Sequence, residues 1–305
     1  MNIKIATILT VHNRKQKTLS CLQHLYEALD AHNQFATNPI VLTVFLTDDG
    51  CTDGTAESVM TTFTDKNIHI IKGDGNLFWA GGMRLAWQTA IDEETRWDFY
   101  LLLNDDTNVY DNVFDELFKA EEYCLQQTKK HGLISGITCH PNNKSITTYG
   151  GKNLVNKTSK REELLHATGV PQRIDLINAN ILLLNQQIVD TIGILYDGYK
   201  HAYADHDYSL TARRHGIFSY TTSHICGECV YDHDSRKSEI EKLCSMTFAE
   251  RKKYVNFPTH CDHDYLLFIR RHYTFQFPIA LLFHRIRLYW PGLYYHINKF
   301  RGVFK

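Results

Sequence analysis

Two pairs of adjacent carboxylates each follow an apolar run in this sequence. Asp48 and Asp49 come after "IVLTVFLT", and Asp105 and Asp106 come after "DFYLLLN". Like charges this close repel each other and cost stability unless a positive charge lies beside them. Carboxylate oxygens are the ligands that Mg²⁺ and Mn²⁺ prefer. The second pair therefore predicts a divalent cation, and a solvated acidic loop is the alternative.

Another acidic group stands at the start of "YADHDYSLTARRHG", where the apolar period predicts a helix that stops at a glycine. The helix dipole favours anions at this end. We expect Asp205 to lie just outside the helix, where a general base can reach into a crevice. Asp207 is explained equally well as part of an acidic first turn. Arg213 and Arg214 are expected to pair with these acids or with phosphate.

Two further motifs contain residue types that can bind a metal or a ligand. Cys226 and Cys229 form one C-x-x-C, but a structural zinc site usually needs a second such pair, so we do not expect zinc. Nearby, His233 is the better candidate, as a partner of Asp106 at a metal site, and a surface histidine is the alternative. "GDGNLFWAGGMRLAW" fits neither a dinucleotide fingerprint nor a P-loop, so its glycines serve either a close ligand approach or an ordinary loop.

The elements that must position these residues alternate as strand and helix over the first 140 residues, which predicts a parallel sheet. Such sheets bind ligands at the carboxyl ends of their strands, so both acidic pairs are expected to face one crevice. Thr52 or Asp53 is expected to cap the second helix, and Asp111 the helix "DNVFDELFKAEEYCLQQTKK". Predicted strands are "IKIATILTV", "IVLTVFLTDDG", "NIHIIKG" and "DFYLLLNDD", with helices between them at Leu19–Leu29, "TAESVMTTF" and "FWAGGMRLAWQTAI".

The second half of the chain is less regular. We predict strands in "GLISGITCH", "RIDLINANILLLN" and "FSYTTSHICGECVYDH", and a short helix in "QQIVDTIG". No linker rich in Pro, Gly or Ser and no internal repeat interrupts the sequence. These features favour one α/β domain with a helical C-terminal extension.

Composition limits the function classes. The 305 residues are 43% apolar with a formal net charge of −1, which is typical of a soluble globular protein and gives no global field for nucleic acid. Eight scattered cysteines indicate reduced thiols and a cytoplasmic setting. The N-terminus reads as a strand rather than a signal peptide, and no apolar run is long enough to span a bilayer.

The C-terminal tail has an unusual composition. From Leu266 to Lys305 it has no Asp or Glu, and it combines seven Lys and Arg residues with eleven aromatic residues. Such a segment is typical of peripheral contact with an anionic membrane surface, here the inner face of the cell membrane. The alternatives are packing against the core and an interface in a homo-oligomer.

Taken together, these stretches resemble the family 2 glycosyltransferases, which have the GT-A fold. "ATILTVHNR" looks like the family's first strand with its T-x-x-N-R end, and "DDGCTDGTA" is close to its "DDGSTDGT". "NDD" stands where the family has Asp-x-Asp. "INANILLLNQQIVDTIGILYDGYKHAYADHDYSLTARRHG" resembles the stretch that ends in an acidic pair. "GNLFWAGGMRLAW" is similar to a bacterial rhamnosyltransferase-like branch.

The resemblance covers roughly residues 4 to 235 and implies a Rossmann-like, mixed but mostly parallel sheet flanked by helices. The catalytic domain would be 1–236, with a nucleotide-binding half at about 1–110 and an acceptor-binding half at about 111–236. Residues 237–305 would form the extension. The implied reaction is inverting transfer from a UDP- or dTDP-linked sugar to a hydroxyl of a glycan or lipid-linked glycan, in bacterial surface polysaccharide synthesis.

The resemblance also assigns roles to residues. Asp205 would be the general base, and Asp106 and His233, helped by Asp105, would hold Mg²⁺ or Mn²⁺. Asn180 and Asp207 would contact the acceptor. The donor-binding set would be Thr10, Asn13, Arg14, Asp48, Asp49, Asn76, Gly82, Arg84, Asn104 and Asp105.

Two departures from the family pattern matter: Asn104 replaces the first Asp of Asp-x-Asp, and Ala204 replaces a common Glu before Asp205. The alternatives are another metal-dependent sugar-nucleotide enzyme, such as a nucleotidyltransferase, and a non-catalytic sugar-nucleotide-binding partner. The first would need a glycine-rich, lysine-bearing N-terminal loop, which "TVHNRKQK" matches poorly. The second predicts loss of the base, yet Asp205 is present.

Overall fold

The structure is a computed structural model that describes residues 2–156, 161–231, 236–260 and 262–303. Contacts divide the chain into two compact units. The first comprises Met1–Asp197 and Asp205–Tyr231, and the second comprises Gly198–Ala204 and Asp232–Lys305. The first unit thus ends at Tyr231, and a short internal segment packs with the C-terminal residues.

The first part of the chain alternates strands and helices as predicted. The elements are β1 (Ile3–Val11), α1 (Lys15–Asn33), β2 (Ile40–Asp48), α2 (Thr55–Thr62), β3 (Ile68–Lys72), α3 (Phe78–Asp92), β4 (Phe99–Leu103), β5 (Asn108–Val109) and α4 (Val113–Thr128).

The rest of the first unit is richer in strands. It contains β6 (Leu133–His140), β7 (Asn143–Tyr149), β8 (Gly151–Asn156), β9 (Arg161–Leu164), β10 (Arg173–Ile174), β11 (Leu176–Ile177), β12 (Ile181–Asn185), α5 (Gln186–Ile192), α6 (Ala204–Arg214) and β13 (Ser219–Glu228). The other predicted strands and helices here are confirmed, but "RIDLINANILLLN" forms three strands, β10, β11 and β12, and not one. The strands β7, β8 and β9 were not predicted, because they are short and largely polar.

One large sheet organises the first unit. Among the described residues its order is β10-β13-β6-β12-β4-β1-β2-β3, with β5 and β7 added at β13 and β6. The β3-β2-β1-β4 portion is parallel, and β12 runs antiparallel between β4 and β6. A second sheet has the order β11-β8-β9. The predicted α/β class, with a mixed and mostly parallel sheet, is confirmed.

The core of the first unit lies between this sheet and its helices. α1 buries Leu22 and Leu25 completely, and α4 buries Phe114 and Leu117, each pair at helical spacing. On α3, Gly82 permits unusually close packing, because a Cβ there would lie 2.0 Å from the Thr10 Oγ1 atom. This contact brings α3 onto the carboxyl end of β1.

The expected helix caps are partly wrong. α4 begins after Asn112 rather than Asp111, and no side chain caps it; the Asn112 amide nitrogen donates to the Ile225 carbonyl. α2 begins after Gly54, which has a left-handed φ of 76°. Asp53 nevertheless accepts hydrogen bonds from the Thr55 N–H and from the Lys15 N–H, so it ties the starts of two helices together.

The second unit is helical in its described residues, as expected of the extension. Its helices are α7 (Arg236–Ser245), α8 (Phe248–Val255), α9 (Asp262–His272), α10 (Phe277–Tyr289) and α11 (Pro291–Phe300), with 3-10 turns at Pro258–His260 and Thr274–Gln276. Thr247 and Glu250 form a capping box at the start of α8. No helix in the described part of the chain combines the length and the apolar character that crossing a bilayer requires.

Candidate functional site

The loops that follow β1, β2 and β4 meet at the carboxyl edge of the sheet, as the topology predicts. The segment from His12 to Arg14 lies between the two acidic pairs and contacts both. The His12 ring bonds the Asp49 carbonyl at 2.6 Å, and the Arg14 guanidinium reaches Asp105 and Asp106. The two pairs therefore do face one region.

Arg14 is the positive charge beside the second acidic pair. Its Nη1 atom lies 3.1 Å from Asp105 Oδ1 and 2.9 Å from Asp106 Oδ2, and Lys17 Nζ lies 4.0 Å from Asp106. A charge-assisted hydrogen bond to each carboxylate offsets their mutual repulsion. The acidic pair predicts a divalent cation as the compensating charge, whereas in the structure the side chain of Arg14, the residue before α1, supplies it.

The two carboxyls have different environments. Asp105 is 5% exposed, and burial raises its pKa to about 6, with Asp106 adding to the rise and Arg14 opposing it. Thr18 donates a further bond to it at 3.4 Å. The Asp106 side chain is 21% exposed and lies nearer to solvent. Asp105 is therefore a supporting group, and Asp106 is the carboxylate that a ligand can approach.

Cys229, which follows β13, lies against Asp106. Its thiol donates to Asp106 Oδ1 at 3.7 Å, and the Asn180 amide points at its sulfur at 3.7 Å. Burial, reinforced by Asp106, raises the pKa of Cys229 to about 12, so the group stays a neutral thiol. Its C-x-x-C partner Cys226 is buried elsewhere, with its thiol directed at the Ile137 carbonyl.

The oxygen atoms of Asp106 suit a hard cation that is coordinated both by the protein and by a substrate phosphate. Among the described residues, the Oδ1 atom of Asp106 has a long thiol contact at 3.7 Å, which leaves this oxygen available to a cation. Mg²⁺ is commonly held by one or two carboxylates together with substrate phosphates. Within the described residues no group of three His, Cys, Asp or Glu side chains converges as a metal site. The predicted ligand His233 lies outside the described residues.

Asp49 has a structural task in its own loop. It is 4% exposed, and its two oxygens accept from the N–H groups of Gly75, Leu77 and Phe78 at 2.8 to 3.0 Å. These bonds shape the turn that leads into α3. The expected contact of Asp49 with a donor stays a prediction.

Asp48 is more open to a ligand. It ends β2 and is half-buried, and its Oδ1 atom accepts from the Cys51 N–H at 2.8 Å. Asn76, on the neighbouring loop, is exposed, with its N–H donating to Asp74. Both positions agree with groups that contact a donor from the carboxyl edge.

Backbone strain concentrates in these loops. Among described residues, Asn13 and Phe78 are non-glycine residues with positive φ, at 52° and 56°. Asn tolerates this region, but it costs a bulky aromatic residue free energy, and such strain clusters at functional sites. Asn13 Oδ1 accepts from the Thr52 N–H at 2.7 Å, so the β1 and β2 loops are joined. Asn13 therefore organises the edge even before any ligand is considered.

Other expected donor residues have defined partners in the structure. The Trp79 indole donates to Asn104 Oδ1 at 2.8 Å. The Arg84 guanidinium bonds Asp197 and the Tyr196 carbonyl, at 3.1 and 3.2 Å. Gly82 is buried against Thr10, where the lack of a Cβ permits close packing.

Asp205 lies inside the first turn of α6 and not just outside the helix, which corrects its expected position. Its Oδ1 atom accepts from the His206 N–H at 2.8 Å, and its Oδ2 atom from the Ala179 N–H at 3.4 Å. The next residue, Asn180, accepts from the Asn104 N–H through its carbonyl at 3.1 Å. A short backbone path thus joins Asp205 to the loop that carries the acidic pair, and its half-buried carboxylate stays partly accessible.

One expectation around α6 is wrong. Arg213 forms its ion pair with Asp175 rather than with Asp205 or Asp207. Helical spacing predicts which face a residue occupies but not what packs against that face. Asp207 is 2% exposed and enclosed by the protein, and its contact with an acceptor stays a prediction.

Several contributors were missed. Thr18, Cys21, Trp79 and Cys229 support the acidic pair or its preceding asparagine, and three of them are buried on helices or beyond strands distant in sequence. The contact of Lys17 with the acidic pair could have been predicted, because Lys17 lies one helical turn beyond Arg14. The apolar or small character of the others gives no sign of a polar contact.

Comparison with known proteins supports the fold. No protein-family description and no curated protein matches the sequence. Solved structures do match: S. aureus TarS at 14% identity and a TM-score of 0.52, covering 90% of this chain and 72% of that one, and the same protein in complex with UDP-GlcNAc at 13% identity and 0.52, covering 90% and 73%. A mannosyltransferase from Pyrobaculum calidifontis, in complex with GDP-Man and Mn²⁺, matches at 13% identity and 0.51, covering 100% and 82%.

These neighbours are glycosyltransferases, and the shared architecture is the GT-A fold: a mixed, mostly parallel sheet flanked by helices, followed by a helical C-terminal region. At these identities the likeness establishes the fold. The chemistry of this chain rests on the residues at its own carboxyl edge.

Proposed function

We propose that this protein is an inverting glycosyltransferase that moves a sugar from a nucleoside diphosphate, UDP or dTDP, to a hydroxyl of a glycan or lipid-linked glycan acceptor. The observation that carries the proposal is the assembly of Arg14, Asp106 and Asp205 around connected loops at the carboxyl edge of a GT-A sheet. Neighbours with this fold bind UDP-GlcNAc and GDP-Man.

In this proposal the donor lies along the carboxyl edge. Asp48 accepts from the nucleoside, where a carboxylate can bond an imide N–H or a ribose hydroxyl. Asp106 faces the diphosphate, and Arg14 lies beside it as a fixed positive charge. Mg²⁺ or Mn²⁺ held by Asp106 would neutralise phosphate charge and assist departure of the nucleotide. The Mn²⁺ bound in the mannosyltransferase neighbour agrees with this choice.

Asp205 is the proposed general base. It takes the proton from the acceptor hydroxyl while that oxygen attacks the anomeric carbon on the face opposite the leaving group. The bond to the nucleoside diphosphate breaks as the new glycosidic bond forms, so the configuration inverts in one displacement. The Ala179 and His206 N–H groups hold the carboxylate in place. No protein nucleophile is needed.

The decisive experiment replaces the base. Asp205→Asn keeps the shape of the side chain but removes the proton acceptor, and general-base catalysis typically contributes ~10²- to 10⁴-fold. We expect kcat to fall by about that factor, with donor affinity unchanged in calorimetry with UDP. Asp115→Asn, at an exposed position on α4, is the matched control and should keep full activity. Full transfer activity in Asp205→Asn would refute the assignment.

The alternatives give different results in the same assays. A nucleotidyltransferase would form a nucleotide sugar from a nucleoside triphosphate and a sugar phosphate, and a non-catalytic partner would bind sugar nucleotides without consuming them. A panel of sugar nucleotides incubated with Mn²⁺ separates these outcomes, because only the glycosyltransferase hydrolyses a donor slowly and accelerates on adding acceptor.

We also propose peripheral membrane contact through the second unit, in keeping with a lipid-linked acceptor in surface polysaccharide synthesis. On α10, the side chains of Ile279, Leu282 and Tyr289 are each more than half exposed and recur at helical spacing, with exposed Arg285 between them. Arg287, on the same helix, pairs with Asp262 and Glu239 instead. An outward face that is apolar and basic suits an anionic bilayer.

Sedimentation with vesicles tests this contact. The wild-type protein should bind vesicles that contain anionic phospholipid, and NaCl should weaken binding because it screens the charges. The double change Ile279→Ser and Leu282→Ser should reduce binding, whereas Phe35→Ser, at an exposed loop position of the first unit, should not. A folded wild-type protein that ignores anionic vesicles at low salt would defeat the proposal, and self-association through this face would appear as a larger mass in light scattering.

A further inference from the structure

An aromatic pair stands near the proposed base and has no part in the chemistry described above. The rings of Tyr149 and Tyr231 are tilted at 37° with centroids 5.6 Å apart. Tyr149 ends β7 and is half-buried, whereas Tyr231 follows β13 and is 54% exposed. Tyr231 therefore presents aromatic area to solvent.

The backbone connects Tyr149 to Asp205. The carbonyl of Gly150, the next residue, accepts from the Asn178 N–H at 3.1 Å. The Ser135 hydroxyl bonds this same carbonyl and also the Asn178 carbonyl, at 2.9 Å for the latter. One residue further, the Ala179 N–H donates to Asp205. The ring at 149 is therefore fixed to the strand-and-loop framework that holds the base.

Tyr231 is connected to the acidic pair in a similar way. It comes two residues after Cys229, whose thiol contacts Asp106 and the Asn180 amide. The segments that carry the two rings are thus connected to Asp205 on one side and to Asp106 on the other.

We infer that Tyr149 and Tyr231 form an acceptor subsite that binds a pyranose ring of a glycan by stacking. The inference rests on the proposed function and specifies its acceptor. A sugar ring presents C–H bonds with partial positive charge on its faces, and an aromatic face is the negative part of the ring quadrupole. Stacking also covers apolar area while leaving the hydroxyls at the ring edge free for bonding or reaction. A tilted pair can contact a sugar on one ring and its neighbour on the other.

This subsite predicts a kinetic separation. Tyr231→Ala removes the exposed ring, so the KM for a glycan acceptor should rise about tenfold, since an aromatic contact of this kind contributes on that scale. Tyr231→Phe keeps the ring and should restore the wild-type KM. Hydrolysis of the donor in the absence of acceptor should be the same in all three proteins. Phe35→Ala, which removes another highly exposed ring, is the control for general surface effects.

The experiment uses the full chain and a glycan array, followed by titration of the strongest ligand found. Wild-type binding that weakens in Tyr231→Ala and recovers in Tyr231→Phe supports the subsite. An unchanged acceptor KM in Tyr231→Ala, or no glycan bound by the wild type, overturns it. The proposed function fails separately, by absence of any donor hydrolysis or transfer by the wild-type protein.

Discussion

Two acidic clusters of similar composition have opposite roles in this protein. Asn104-Asp105-Asp106 follows β4 at the carboxyl edge of the sheet in the first unit, and Asp262-His263-Asp264 opens α9 in the second unit. The second cluster has the Asp-x-Asp spacing, whereas the first does not. A comparison of their surroundings shows why the pattern alone misleads.

The carboxylates of the helical cluster are buried, and their oxygens are engaged in hydrogen bonds and ion pairs within the protein. Asp264 is 1% exposed and accepts from the N–H groups of Lys200, His201 and Ala202, the last two at 2.8 and 2.9 Å. Asp262 is 6% exposed and is held by His284 and Arg287. Every one of these contacts is internal to the second unit, so these carboxylates hold residues 200–202 and α10 in place.

The strand-end cluster keeps one carboxylate accessible. Asp105 is buried like the helical pair, but Asp106 retains solvent exposure and an oxygen with only a weak contact. Its counter-charge, Arg14, is itself half exposed and can turn toward a ligand. The lesson is that a carboxylate at the end of a parallel strand can meet a ligand, while one in a packed helix is committed to its own fold.

The largest expected effect concerns Asp264. Asp264→Ala leaves three backbone N–H groups without their charged acceptor, and bonds to charged groups are worth about 1.5 to 3 kcal/mol each. We expect the free energy of unfolding to fall by about 3 kcal/mol or more, measured by urea denaturation. Asp264→Asn keeps one acceptor oxygen and should lose less. Unchanged stability in Asp264→Ala would show that the helical cluster lacks the structural role that distinguishes it here from the strand-end cluster.

The reciprocal change is Asp106→Asn, which should affect activity and not folding. Loss of the accessible charge removes the group that faces the diphosphate and its cation, and we expect kcat/KM for the donor to fall about 100-fold. The urea midpoint should move little, because this side chain is partly exposed. Wild-type kinetics together with a large loss of stability would reverse the roles assigned to the clusters.

Removing the cation gives a smaller effect. With a chelator present, the affinity for UDP or dTDP should fall by about tenfold, because the phosphates lose the charge that joins them to Asp106. Calorimetry with and without Mn²⁺ measures this. The same titration with Asp106→Asn should show little dependence on Mn²⁺. Equal nucleotide affinity with chelator and with Mn²⁺ in the wild type would exclude a metal at this position.

The smallest effect concerns the counter-charge. Arg14→Lys keeps the charge but cannot place one nitrogen on both Asp105 and Asp106 as rigidly as a guanidinium does. Since Arg14 is about half exposed, we expect a loss of at most about 1 kcal/mol in unfolding free energy. Lys17→Gln, at the weaker 4.0 Å contact, should be nearly neutral. An equal loss in both variants would mean that long-range charge, and not the direct bond, balances the acidic pair.

The sequence alone was sufficient for the alternating elements of the first half and for the meeting of the loops after β1, β2 and β4. Strand and helix periods report directly which residues are buried, and the carboxyl ends of neighbouring parallel strands must share an edge. The motif order also identified the GT-A architecture. These inferences depend on local pattern and on chain order, which the residues carry themselves.

The tertiary structure alone decided which polar groups are available. It showed that Asp49 is buried in its own loop and that Asp207 is enclosed, and it placed Gly82 against Thr10. It also brought Cys229 to Asp106 and Arg14 to the acidic pair. Burial and the choice of hydrogen-bond partner depend on which distant parts of the chain pack against a residue. The sequence therefore does not distinguish a carboxylate that is accessible to a ligand from one that is already bonded within the protein.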